Sequence, residues 1–221
     1  ILNVSNLSVK LQDQIILDDI SFKLDRGKIL AIVGPNGAGK SMFFRTLLNL
    51  VPHTGKIEWS NKVKIGYVPQ NLSVKDIPIS VREFLSFKSS SGIEESLSSV
   101  GLNSKEILHK SLGVLSGGQL RRVLIAWAII DKPNVLLFDE PTTGVDLDSE
   151  EAIYKMLSEL AKKSNITMLI ISHNLHIITE YSDYTLALNS CMNYFGESEE
   201  ISSPSLQTVI YGEPVCKRTH E

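Results

Sequence analysis

Hydrophobic positions along this chain follow two patterns. Short continuous apolar runs at 29–33, 135–138 and 166–171 predict strands buried on both faces. Residues 20–24 alternate apolar with polar, and 2–11 do so loosely, the period of a half-buried strand. Asp25-Arg26-Gly27 marks a turn between two of these runs. Longer stretches at about 40–50, 118–130 and 150–163 carry the helical period; the last shows a stripe at Ile153, Met156, Leu157 and Leu160. Residues 56–59 and 63–68 predict a short hairpin, and 185–189 with 192–195 a final one. From Asn71 to about Gly113 the character changes. Serines become frequent, Ser80-Val81-Arg82-Glu83 has the form of a capping box, and short helices are expected near 93–100 and 104–109. Strands alternating with helices predict an α/β fold with a mainly parallel sheet.

Composition narrows this picture only slightly. The 221 residues, 43% hydrophobic and 21% charged, suit one large globular domain. A formal net charge of −3 gives no basic footprint for nucleic acid. Cys191 and Cys216 lack CxxC spacing and are too few for a disulfide framework, so they read as reduced thiols. No apolar run approaches the roughly 18 residues of a membrane-spanning helix, and no signal-like segment opens the chain. His53, His109, His176 and His220 show no ligand spacing, so no structural transition-metal site is expected.

The chemistry concentrates in Gly34-Pro35-Asn36-Gly37-Ala38-Gly39-Lys40-Ser41, which fits G-x-x-x-x-G-K-[ST] between a predicted strand and a predicted helix. Glycines let a backbone turn sharply and bring its N–H groups close to phosphate oxygens, while the following helix aims its positive end at the same anion. Lys40 would reach the β- and γ-phosphates and Ser41 would offer a hydroxyl to Mg²⁺. Such a loop needs an acidic partner for the metal. Asp139, closing the strand at 135–138, is the candidate, and Glu140 can face the attacking water instead. Asn61-Lys62-Val63-Lys64 lacks the aspartate that reads guanine, which argues for ATP.

Beyond the loop, the motifs resemble those of ABC transporter nucleotide-binding domains. Leu115-Ser116-Gly117-Gly118-Gln119 resembles the signature motif, Gln70 after Gly66-Tyr67-Val68-Pro69 the Q-loop glutamine, Gly144-Val145-Asp146 the D-loop, and His173 the switch histidine. The order is the family's, and the likeness runs from about Leu2 to Gly196. It implies a P-loop NTPase (RecA-like) fold: one domain over 1–221, with an N-terminal antiparallel β subdomain and core at 1–70 and 114–200, a helical insert at 71–113 and a tail at 202–221. It further implies ATP and Mg²⁺ as ligands. Catalysis would fall to Glu140, His173, Lys40 and Gln70, and the metal to Ser41, Gln70 and Asp139. Ser116, Gly117, Gly118, Gln119 and Asp146 of one copy would close over nucleotide held by residues 34–42 of another, in a head-to-tail homodimer. A helix opened at Ser116 supplies a physical reason, because its start is a second anion-binding end.

Some positions depart from the pattern. Leu11 stands where the family usually places an aromatic residue against adenine, Met42 where Thr is usual, Asn174 where Asp is frequent, and Trp127 where Arg is common. None removes a catalytic group. Gly27-Lys28-Ile29-Leu30, residues 64–70, Ile77-Pro78-Ile79-Ser80-Val81 and His173-Asn174-Leu175-His176 are similar to ATP-binding subunits of zinc- and manganese-type importers. That likeness implies transmembrane permease partners docked on the helical insert, an extracytoplasmic metal-binding protein, no nucleic-acid partner, and a place on the cytoplasmic face of the inner or plasma membrane. Another cargo (manganese, iron or a heme-like ligand) stands as the alternative, ahead of a non-transport ABC ATPase.

Overall fold

The computed structural model describes residues 1–70, 78–142 and 147–211. Two compact units emerge, one of Ile1–Lys62 with the chain from Thr167 onward, the other of Val63–Ile166. In chain order the elements are β1 (Leu2–Leu11), β2 (Gln14–Leu24), β3 (Ile29–Val33), α1 (Lys40–Leu47), β4 (Thr54–Trp59), β5 (Ile65–Val68), α2 (Val81–Ser86), α3 (Ile93–Ser99) and α4 (Ser104–Ile107). There follow α5 (Gly117–Ile129), β6 (Val135–Asp139), α6 (Leu147–Ser164), β7 (Thr167–Ile171), α7 (Leu175–Tyr181), β8 (Tyr184–Asn189), β9 (Cys191–Glu197) and α8 (Pro204–Tyr211).

The first unit holds strands in the order β4-β1-β2-β9-β8-β3-β7. β1 pairs antiparallel with β2 and with β4, β8 pairs antiparallel with β9, and β3 runs parallel to both β7 and β8. β3 and β7 are buried along their whole length, as their unbroken apolar runs require. Phe43, Phe44 and Leu47 of α1 are buried, and Phe22 packs on Phe43 with ring centroids 6.0 Å apart. Burying side chains of this size stabilises by roughly 1.5–3 kcal/mol each. That packing fixes α1, and with it the residues that open the helix.

In the second unit β5 and β6 pair parallel, Ile65 opposite Val135 and Val68 opposite Phe138. Gly66 is required there: a Cβ would lie 2.7 Å from the Ala128 carbonyl oxygen and 2.6 Å from the Leu136 side chain. Ser80 caps α2 with both halves of the expected capping box in place. Leu85, Leu97, Leu112 and Phe138 are fully buried in this unit.

Two expectations are corrected. The hairpin at 56–59 and 63–68 does not form, since β4 pairs with β1 and β5 with β6. Strand period identifies a strand but says nothing of its partner. Cys191, at the start of β9, is held in a disulfide, so it is not a reduced thiol; Cys216 lies outside the described residues. The chain after β9 turns back through α8, which packs beside that strand, with Asn193 Nδ2 donating to the Val209 carbonyl at 3.1 Å. Spacing along the sequence does not reveal such a return. The tail, to which no element was assigned, opens with α8. Ile210 of α8 is buried against Ala31, Val33, Ile178, Ala187 and Ile201, behind the strand that leads into the glycine loop.

Candidate functional site

In the first unit β3 delivers the chain to the loop at 34–41. The loop closes on itself through a hydrogen bond from the Ala38 amide to the Pro35 carbonyl, and the Ser190 amide holds the Ala38 carbonyl from outside. Gly34, at φ 144, has backbone packed against it: a Cβ would fall 1.9 Å from the Leu188 carbonyl oxygen. Gly39, at φ 91, is the N-cap of α1 and brings no side chain to cap it. The N–H groups that open any helix have no acceptor four residues back, and they suit an anion. Lys40 is only 7% exposed. Its ammonium donates to the carbonyls of Gly34 at 2.9 Å and Pro35 at 2.8 Å, which folds the side chain back over the loop. Asn36 and Gly37 are exposed, Ala38 is buried, and Ser41 and Met42 are half-buried in the first turn of α1.

Gly34→Ala is expected to destabilise by about 3 kcal/mol, because it adds a steric clash to an unfavourable φ. Urea denaturation of the variant checks this. An unchanged midpoint would mean that the Leu188 carbonyl yields.

His173 belongs to the same unit. The Ser172 amide donates to the Ile32 carbonyl at 3.2 Å, extending the ladder of β7 with β3 to the residue before His173. His173 therefore leaves β7 at the edge where β3 enters the loop. Asn174 caps α7 by accepting from the Ile177 amide, so Asn at this position has a local structural use. Leu11, 38% exposed, closes β1 opposite Gln14, with exposed Ile15 beside it at the hairpin tip.

The second unit carries the carboxylates. Asp139 ends β6 and is only 4% exposed. Glu140, the next residue, has φ 49, a left-handed conformation that turns the chain off the strand axis. Consecutive strand residues point to opposite faces, so neighbouring carboxylates at a strand end can serve different partners. The Gln70 Nε2 donates to Glu140 Oε2 at 2.5 Å, so the structure brings Gln70 and Glu140 together. Arg121, which the sequence reading overlooked, reaches the backbone of both: its guanidinium donates to the Pro69 and Gln70 carbonyls at 3.3 Å and to the Glu140 carbonyl at 3.4 Å. A signal for it exists in the sequence. Arg121 lies three and four residues before Leu124 and Ile125, on the buried stripe of a helix that is otherwise apolar there.

α5 opens at Ser116, whose hydroxyl accepts from the Gln119 amide while the Gln119 side chain accepts from the Ser116 amide, each at 3.2 Å. Ser116 and Gly117 are exposed, and Gly118 and Gln119 half-buried. Asp146 lies outside the described residues. Trp127, farther along α5, stacks on Phe84 with centroids 6.0 Å apart, and Lys88 Nζ sits 4.1 Å over its ring. Tyr67, Pro69 and Leu124 complete an apolar depression around this pair.

The chain is similar to known proteins along most of its length. A family profile described as ABC transporter matches residues 17–143. The zinc import ATP-binding protein ZnuC of Photorhabdus laumondii is 36% identical over 217 residues, spanning 96% of this chain and 84% of its own length. ZnuC of Haemophilus influenzae is 35% identical over 222 residues, spanning 98% of this chain and 82% of its own. Among solved structures, an inward-facing metal-chelate type ABC transporter superposes with TM-score 0.85 at 29% identity, covering 95% of this chain and 88% of that one. CbiO1 from Clostridium perfringens, part of the ABC transporter complex cbiONQ, superposes with TM-score 0.83 at 27% identity, covering 94% and 92%.

Proposed function

On the premise that this chain belongs to the ABC transporter ATPase family, we propose that it hydrolyses ATP to drive import of a divalent metal, zinc in the first place. The observation that carries the motor reading is Gly118. Its φ is not in the left-handed region, and a Cβ there would meet only Ser149, at 3.9 Å, among the described residues. Glycine inside a helix costs roughly 0.5–1 kcal/mol relative to alanine. In this reading the bare backbone at Gly118 leaves room for a close approach from outside the chain. A triphosphate held on a second copy has the required charge for an exposed, capped helix start.

In this reading the loop at 34–41 cradles the phosphates. Lys40 leaves the carbonyls of Gly34 and Pro35 for the β- and γ-phosphate oxygens, and Leu11 lies against the base. Hard oxygen donors suit Mg²⁺: the Ser41 hydroxyl, the Asp139 carboxylate and the Gln70 amide oxygen, whose partner nitrogen is committed to Glu140. When bound, the ion would offset charge on the phosphates. Glu140 accepts a proton from the water whose oxygen bonds to the γ-phosphorus, as the bond to the bridging oxygen breaks and ADP leaves. His173 contacts the γ-phosphate. Ser116, Gly117, Gly118, Gln119 and Asp146 come from the second, head-to-tail copy.

ATPase subunits of ABC importers dimerise and work with transmembrane permease components. Among the described residues no helix is long and apolar enough to cross a membrane. In this proposal the chain acts as a peripheral subunit on the cytoplasmic face, held there by the permease. The depression at Tyr67, Pro69, Phe84 and Trp127, next to Gln70, receives a permease helix, and an extracytoplasmic protein delivers the metal. Identity to zinc import proteins along nearly the whole chain supports the cargo. A chelated metal is the second reading, favoured by the likeness to the metal-chelate type transporter.

The test is uptake of radioactive zinc by cells lacking this subunit. Zinc uptake should fall to background and return with the wild-type chain but not with Gly118→Ala. Normal zinc uptake with loss of metal-chelate uptake would select the second reading, and normal uptake of both would defeat the proposal.

A further inference from the structure

Arg121 sits in the second turn of α5, only 6% exposed, with a charge that a protein interior does not tolerate without partners. Burial lowers its pKa from the ordinary arginine value, with Tyr154 acting in the opposite sense. Arginine nonetheless stays protonated in proteins. Its donors are spread over two chain segments, reaching Pro69 and Gln70 on one and Glu140 on the other. Gln70 and Glu140 are also the pair whose side chains bond to each other. One guanidinium therefore holds the two backbones, while the amide–carboxylate bond holds the two side chains. Glu140 has a special need for such support. A non-glycine residue at φ 49 costs on the order of 1–2 kcal/mol and persists only where its surroundings hold it. A planar fork of five donors can span two strand ends, whereas a lysine ammonium on a flexible stem cannot reproduce that geometry.

We infer that Arg121 is a positioning residue for ATP hydrolysis, fixing the peptide of Glu140 and its bond to Gln70 to the same helix whose first turn carries Ser116, Gly117 and Gly118. A shift of that helix start then moves the carboxylate. The inference rests on the role proposed above for Glu140, and it predicts an effect on turnover rather than on nucleotide affinity.

The experiment measures steady-state ATP hydrolysis by the full chain for wild type, Arg121→Met, Arg121→Lys, Glu140→Gln and the Arg121→Met/Glu140→Gln double variant, with thermal melts of each. Misplacing a catalytic group by about 1 Å costs on the order of 100-fold. Arg121→Met should accordingly lose roughly 10- to 100-fold in kcat with KM for ATP within about twofold. Arg121→Lys should recover part of the loss. In the Glu140→Gln background Arg121→Met should change the residual rate by less than about twofold, because residues that act as a unit are non-additive. If Arg121→Met does not fold, Arg121→Lys carries the decision: a lower kcat at a wild-type melting temperature supports the inference. Unchanged kcat in a folded Arg121 variant overturns it, as does a raised KM at constant kcat or an undiminished loss in the Glu140→Gln background. Wild-type turnover in Glu140→Gln itself would instead defeat the role of Glu140, a separate failure.

Discussion

Glu140→Gln is expected to lower ATP turnover by roughly 10²- to 10⁴-fold, the range that general-base catalysis contributes, while ATP still binds. The substitution replaces one carboxylate oxygen with an amide of nearly the same shape. The remaining carbonyl oxygen can still accept from the Gln70 Nε2, so the local geometry should persist. The ability to take a proton from water is lost. ATP binding joins two copies and hydrolysis releases them in the proposed cycle, so the variant should accumulate as an ATP-dependent dimer. Rapid-quench hydrolysis and size-exclusion chromatography with and without ATP measure both effects. A normal rate would remove Glu140 from the mechanism; a slow rate without dimerisation would separate catalysis from assembly and count against the head-to-tail arrangement.

Lys40→Ala is expected to act earlier, at the phosphates. The ammonium is tied to the Gly34 and Pro35 carbonyls and stands over the mouth of the loop, where it would meet the anion in a water-poor setting. Removing one preorganised donor to developing phosphate charge costs about 10²- to 10³-fold. A loss of that size in kcat/KM is expected, together with weakened binding of a fluorescent ATP analogue. The fold should survive, because α1 is held by Phe43, Phe44 and Leu47 rather than by Lys40. Circular dichroism melts test that separation. Unaltered analogue binding in a folded Lys40→Ala chain would show that the loop grips phosphate through its backbone alone.

Both predictions start from residues identifiable without coordinates, but different parts of the site were legible for different reasons. The phosphate loop was legible because its requirements are local. Glycine at 34 and 39 answers a backbone conformation, and Lys40 and Ser41 follow at fixed offsets. The carboxylates were legible because a four-residue apolar run ends just before Asp139, and the end of a buried strand is a geometric landmark. The capping box at Ser80 depends on residues three positions apart and formed as read, and the helix expected to open at Ser116 is closed by a capping box of the same spacing. The Gln70–Glu140 bond joins residues 70 positions apart and could be anticipated only through the family resemblance.

What the chain order by itself determined is most of the elements, the α/β class and the identity of most candidate groups. Each depends on periodicity or on residue types within a few positions, where chain geometry leaves little choice. Tertiary structure decided which strands pair, with β4 on β1 and β5 on β6 rather than with each other. It also decided that α8 covers the strand leading into the loop, that Cys191 is not a free thiol, and that Glu140 turns left-handed under the carbonyl grip of Arg121. These outcomes depend on which surfaces meet across long stretches of chain. A strand's period or an arginine's charge states what must be satisfied, but packing alone selects the partner that satisfies it.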